Sequence, residues 1–210
     1  MMKNFLFKLS LVVVLLLSIR TVSANVSLVV LGDSLSAGYG LSSQQTWVAE
    51  LQRRWQQSHP DYAIINASIS GETTTGGLRR LEGILERHKP DALFIELGGN
   101  DGLRGFNLST VRANLEQIID QARAEGVKVA LSQVMVPPNY GQRFAQQFTG
   151  LYEDIAKEKN VPLIPFFMQP LIEESSDYVQ NDGIHPTAEA QPKIADFLEP
   201  HLLELLQRAK

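Results

Sequence analysis

Five short apolar runs recur along the chain, and each is followed by a stretch whose apolar positions repeat every three to four residues. The runs are Ser27–Leu31, Ala63–Ala67, Ala92–Leu97, Val127–Gln133 and Val161–Ile164. Four are nearly unbroken, the pattern of strands covered on both faces. The run Ala63–Ala67 carries Asn66 and is the weakest of the five. The helical stretches are Thr46–Gln57, Leu78–Arg87, Val111–Ala124, Phe144–Lys159 and Thr187–Arg208. Trp47, Leu51 and Trp55 stand four apart in the first, and Leu78, Leu81 and Leu85 share a face of the second. Gly126, two residues after the third, is a helix stop. This alternation predicts an α/β fold with right-handed crossovers. A central, mostly five-stranded parallel sheet has helices on both faces, a three-layer α/β/α sandwich. Ligands bind such sheets outside the carboxyl ends of the strands, so the residues just after each strand decide the chemistry.

The N-terminus adds a separate signal. Lys3 and Lys8 precede an apolar run, Leu9–Ile19, and Val22 and Ala24 offer small residues at a cleavage site. This is the layout of a secretory signal peptide over residues 1–24. The apolar run falls short of the roughly 20 residues that span a bilayer. Of the 210 residues, 186 then remain, enough for one domain, 25–210, with a full core. Lys3, Lys8 and Arg20 leave with the leader, taking 19 basic residues to 16 against 23 acidic ones, a net charge of −7. An acidic chain without a basic block does not suit nucleic acid. The chain has no cysteine, which excludes disulfides, thiolate metal sites, a cysteine nucleophile and a lipidated N-terminal cysteine. The expected product is an exported monomer, periplasmic or extracellular, with no stable membrane anchor.

The strand ends carry an unusual set of polar residues. After the first comes Gly32-Asp33-Ser34-Leu35-Ser36. A serine that opens a helix has an exposed hydroxyl and backbone N–H groups suited to a developing oxyanion. Helix capping by Asp33 or Ser34 would also account for it. After the second comes Ser68-Ile69-Ser70-Gly71-Glu72-Thr73, where Gly71 can bring a bare N–H close to a ligand. After the third comes Gly98-Gly99-Asn100-Asp101-Gly102, where the Asn100 amide can donate to a substrate oxygen, although asparagine is also common in turns. Past the last strand comes Asp182-Gly183-Ile184-His185-Pro186. Of the four histidines, only His185 has a carboxylate three residues before it in a turn bounded by Gly and Pro. That spacing lets Asp182 fold back and orient the ring. Together these supply a nucleophile, a base, an orienter and three oxyanion donors (Ser34, Gly71 and Asn100), the parts needed for acyl transfer without metal or cofactor.

These four blocks resemble the signature blocks of the SGNH (GDSL) hydrolases. Leu31–Tyr39, Asn66–Thr73, Glu96–Phe106, Pro137–Gly141 and Asn181–Pro186 resemble in particular its bacterial periplasmic thioesterase, protease and lysophospholipase (arylesterase) branch. The resemblance covers essentially all of residues 25–210 and implies a flavodoxin-like SGNH fold. It also implies roles that agree with the residues themselves. Ser34 attacks the acyl carbon, His185 moves the proton, Asp182 orients His185, and the Ser34 and Gly71 N–H groups and the Asn100 amide hold the oxyanion.

The substrate is less legible. Gly102-Leu103-Arg104-Gly105-Phe106 and Met135-Val136-Pro137-Pro138-Asn139-Tyr140 can wall an acyl groove beside the serine. Leu35, Leu103, Arg104, Phe106, Val136, Pro137 and Tyr140 are the expected substrate contacts, with Arg104 available to an anionic head group. The resemblance implies small-molecule acyl thioesters, aryl and alkyl esters and lysophospholipids. Two alternatives are a carbohydrate O-deacetylase on the same machinery, which needs a shallow polar site, and a non-catalytic binding protein, which intact Ser34, Asp182 and His185 disfavour.

Overall fold

The structure, a computed structural model, describes residues 26–209. The expected leader, residues 1–24, lies outside them. Five parallel strands form one sheet: β1 (Val26–Gly32), β2 (Tyr62–Asn66), β3 (Ala92–Glu96), β4 (Lys128–Ser132) and β5 (Leu163–Ile164), in the order β2-β1-β3-β4-β5. Successive side chains of a strand point to opposite faces, so a strand buried on both sides feeds two cores. Leu28 and Val30 of β1 and Phe94 of β3 join Trp47, Trp55, Leu198 and Leu202 on one face. Val29 and Leu31 of β1 and Leu93 and Ile95 of β3 join Leu81, Leu115, Phe148 and Ile155 on the other.

The helices that cover these faces are α2 (Trp47–Ser58) and α8 (Ala190–Gln207) on the first, and α3 (Thr74–His88), α5 (Leu108–Ala124) and α6 (Gln142–Lys159) on the second. The predicted three-layer α/β/α architecture is the one observed. Several boundaries differ for local reasons. Helix α3 starts four residues before the expected Leu78 because Thr73 caps it, accepting from Gly76 N–H at 3.2 Å. The two glycines that hide this start lie in close quarters: a Cβ on Gly77 would stand 2.4 Å from Leu97 Cδ1. Strand β5 keeps only Leu163 and Ile164 of the expected Val161–Ile164, since Pro162 has no N–H to donate to the ladder. Three shorter helices, α1 (Ser34–Ala37), α4 (Gly99–Leu103) and α7 (Met168–Glu174), follow β1, β3 and β5. All therefore stand at the carboxyl edge of the sheet.

Candidate active site

The turn after β1 is tight because Gly32 leaves no room for anything else. Gly32 pairs with Glu96 across the β1–β3 ladder, and a Cβ there would lie 2.8 Å from both Glu96 Oε2 and Ser68 Oγ. Asp33 then caps α1, its Oδ1 accepting from the Leu35 N–H at 3.0 Å. Ser34 is thus the first residue of α1, with the helix N-terminus beneath it.

The second half of the site comes from the turn before α8. Asp182 Oδ1 accepts from the backbone N–H groups of Ile184 at 2.9 Å and His185 at 3.0 Å. Gly183 sits at φ 72°, the left-handed region that closes this turn. The fold-back brings Asp182 Oδ2 to 2.6 Å from His185 Nδ1. His185 Nε2 lies 2.8 Å from Ser34 Oγ. Asp182, His185 and Ser34 therefore form one continuous chain of hydrogen bonds. Gln180 steadies it, donating from Nε2 to the Tyr39 and Pro186 carbonyls at 2.9 Å each. The Tyr39 ring packs on the His185 ring with centroids 4.3 Å apart. Neither Gln180 nor Tyr39 was a sequence candidate, since both lie outside the four polar blocks.

Asn100 stands on α4, which Gly98 introduces at φ 117°. A Cβ on Gly98 would fall 2.0 Å from Tyr152 Oη, whose hydroxyl donates to the Leu97 carbonyl at 2.9 Å. Next door, Asp101 is buried and accepts from Thr74 N–H at 2.9 Å and Thr74 Oγ1 at 2.7 Å, tying α4 to α3. Asn100 Nδ2 donates to Asp33 Oδ2 at 3.2 Å. An amide nitrogen carries two hydrogens, so one orients the group and the other remains for a substrate oxygen. Gly71 lies in the loop after β2 at φ 81°, and its carbonyl accepts from Arg104 Nη2 at 3.2 Å.

Two buried carboxyl groups lie behind Ser34. Burial raises Asp33 from 3.8 to about 6, against the hydrogen bonds from Leu35 and Asn100. Glu96 is fully buried and is held well above the ordinary range, by burial first and by the neighbouring Asp33 second. Its Oε2 accepts from Ser36 Oγ at 2.7 Å and from Asp33 N–H at 3.4 Å. Glu96 Oε1 has no partner among the described residues. A lone carboxylate inside an otherwise apolar strand was the available sequence signal for this group.

The raised Asp33 has a consequence for stability. The folded protein keeps this proton to a higher pH than the unfolded chain does. Stability therefore falls as pH rises from about 4 to 6, and a penalty of about 3 kcal/mol is complete above that window. Relative to wild type, Asp33→Asn is expected to gain melting temperature between about pH 4 and pH 7.5. Thermal unfolding at both values checks it, and an offset that does not change with pH would contradict it.

The serine opens into an apolar cavity of about 410 Å³. Leu35, Leu103, Val136 and Pro137 line it. Arg104, Phe106 and Tyr140, expected beside them, do not line this cavity. The Arg104 guanidinium is turned to the Gly71 carbonyl. Gly105, at φ 66°, redirects the chain and leaves Phe106 exposed. Tyr140 ends the 3₁₀ turn Pro138–Tyr140 and is exposed as well. The opposite wall was missed: it consists of Phe166, Met168, Gln169 and Ile172, from the end of β5 into α7, together with Ile184. Phe166-Phe167-Met168, one residue past the last strand, was the signal that pointed there.

Residues 30–191 match the GDSL-like Lipase/Acylhydrolase family. The chain is 42% identical over 202 residues to Thioesterase 1/protease 1/lysophospholipase L1 of Escherichia coli (strain K12), spanning 96% of this chain and 95% of that one. It is 44% identical over 184 residues to Esterase TesA of Pseudomonas aeruginosa, spanning 88% and 91% of the two chains. Among solved structures, the psychrotrophic esterase EstA from Pseudoalteromonas sp., inhibited by monoethylphosphonate, matches with a TM-score of 0.83. That match has 41% identity and covers 86% of this chain and 98% of that one.

Proposed function

The chain belongs to the GDSL-like lipase/acylhydrolase family, and from that premise we propose that it hydrolyses fatty-acyl esters and thioesters through an acyl-enzyme on Ser34. The observation that carries this reading is the unbroken Asp182–His185–Ser34 chain of hydrogen bonds at the mouth of an apolar cavity. Ser34 Oγ attacks the acyl carbon while His185 Nε2 takes the hydroxyl proton. The oxyanion is held by the Ser34 and Gly71 N–H groups and the Asn100 amide. When the bond to the leaving alcohol or thiol breaks, His185 returns the proton to it. Water then attacks the acyl-enzyme, gives its proton to His185, and releases the fatty acid as Ser34 Oγ is reprotonated. Asp182 carries the negative charge this cycle needs. Partial burial opposes that charge, but the backbone and ring of His185 and the Ile184 N–H outweigh it and hold the carboxyl below its ordinary range.

The cavity favours an alkyl chain over a sugar. Its walls are Leu, Val, Met, Phe and Ile, with Gln169 as a polar exception beyond the catalytic groups. The sequence-based expectation of export supports lysophospholipids and environmental esters as the substrates met in place, acted on by a monomer outside the cytoplasm. Initial rates on p-nitrophenyl esters from two to sixteen carbons, palmitoyl-coenzyme A, a lysophospholipid and an acetylated xylose test the reading. Rates that persist on medium and long chains are expected. Rates confined to acetyl groups on sugar would replace the substrate class.

Asn100→Ala is expected to lower kcat by about 10² to 10³, the cost of one oxyanion donor, with little change in KM. Steady-state kinetics on a soluble ester decide it. A loss appearing only in KM would move Asn100 from the transition state to ground-state binding.

A further inference from the structure

Every large apolar side chain that stands exposed among the described residues lies at the same edge of the sheet. Tyr39 follows β1, Ile69 follows β2, Phe106 follows β3 and α4, and Tyr140 follows β4. Ile172 is on α7 after β5, and Ile184 is in the turn before His185. The strands are all parallel, so these six encircle the carboxyl edge, where Ser34 sits. Single exposed apolar residues are ordinary on any surface; a set collected at one end, with none at the other, is a patch.

Three features say what the patch meets. First, it continues into the cavity, because Ile172 and Ile184 are both exposed at the rim and part of the cavity wall. Ile172 and Ile184 thus join the patch to the cavity that holds Ser34. Second, the connections 38–46 and 133–141 contain no charged residue. In the loop after β2, Glu72 is paired with Arg80 at 2.7 Å, while Arg104 donates to the neutral Gly71 carbonyl and keeps its charge. Charges left unpaired would oppose transfer of these loops to an apolar phase. Third, the rim has no cluster of lysine or arginine to attract anionic lipid, and Glu173 and Asp177 stand exposed beside Ile172 and the Asp182–His185 turn. No helix among the described residues is long and apolar enough to cross a membrane, so contact would be from the surface.

We propose that this apolar rim docks on the surface of a zwitterionic lipid aggregate and draws the acyl chain from it directly into the cavity. The proposal rests on the acyl hydrolase reading and adds the physical state of the substrate and the surface that meets it.

The test compares wild type with the triple variant Ile69→Ser, Phe106→Ser, Tyr140→Ser, whose altered side chains do not line the cavity. Rates on lysophosphatidylcholine are followed through its critical micelle concentration, with p-nitrophenyl acetate as a monomeric control. Wild type is expected to accelerate about fivefold or more once micelles form, and the triple variant to lose most of that step while staying within about twofold on the control. The Ser34→Ala protein is expected to co-sediment with phosphatidylcholine vesicles, and to lose this when the three serines are added. No step in wild type, or an equal step in the variant, would overturn the proposal. So would stronger binding to phosphatidylglycerol vesicles than to phosphatidylcholine, or self-association through the rim without vesicle binding. If wild type were inert on p-nitrophenyl acetate, the hydrolase reading would fail, and vesicle binding would still decide the surface.

Discussion

Ser34→Ala is expected to lower kcat by up to about 10⁶, the scale on which serine hydrolases lose turnover when the nucleophile is removed. The structure explains why nothing replaces it. There is no cysteine in the chain. Ser36, two residues on, is fully buried and its hydroxyl is spent on Glu96. His185 Nε2 faces Ser34 Oγ at 2.8 Å and would then have only water to activate. The oxyanion donors remain in such a variant, so a residual rate above the uncatalysed reaction is expected, on the order of 10³ to 10⁴. Burst kinetics on a p-nitrophenyl ester and labelling with a fluorophosphonate check the assignment together. A variant that keeps near-normal turnover, or that still takes the label, would remove Ser34 from its role.

The parts of the fold that could be read in advance are those where burial dominates. Strands β1, β3 and β4 lie under helices on both faces, and a short unbroken apolar run between turn residues suits that position best. The parts that escaped are short or are decided by contacts far along the chain. Helices α4 and α7 have 5 and 7 residues, too few to show a period. The start of α3 is hidden by Gly76 and Gly77, whose presence answers to Glu72 and Leu97 instead of to helix propensity.

The site divides in the same way. The polar blocks follow strands, and a parallel sheet gathers its strand ends, so Ser34, Asn100 and the Asp182–His185 turn were open to view together. Which way a loop side chain points was not. Leu103 enters the cavity while Arg104 next to it turns to Gly71. Met168 and Ile172 wall the cavity because α7 lies across it, a packing fact with no local signature beyond apolar residues after β5. The support behind the nucleophile was hidden for another reason. Glu96 sits in a run that reads as core, and burial beside Asp33 raises its carboxyl above the ordinary range.

Asp182→Asn is expected to lower kcat by about 10⁴ while leaving the fold intact, and the geometry supplies the reason. Asp182 has two separate tasks. Its Oδ1 holds the turn by accepting from the Ile184 and His185 N–H groups. Its Oδ2 faces His185 Nδ1 at 2.6 Å and fixes the proton there. An asparagine keeps its oxygen where two backbone donors demand an acceptor, which turns its NH₂ toward Nδ1. Two donors cannot share that bond, so the ring must place its proton on Nε2 and present Nδ1 as the acceptor. In that tautomer Nε2 cannot receive the Ser34 proton. Asp182→Ala differs in kind: it removes the acceptor of two turn hydrogen bonds and is expected to lower the melting temperature, which Asp182→Asn leaves close to wild type. Measuring kcat and thermal unfolding for both separates holding the turn from holding the tautomer. An Asp182→Asn protein within tenfold of wild-type kcat would show that the carboxylate does not set the histidine's proton. A large loss accompanied by an equal loss of melting temperature in both variants would reduce Asp182 to a turn residue.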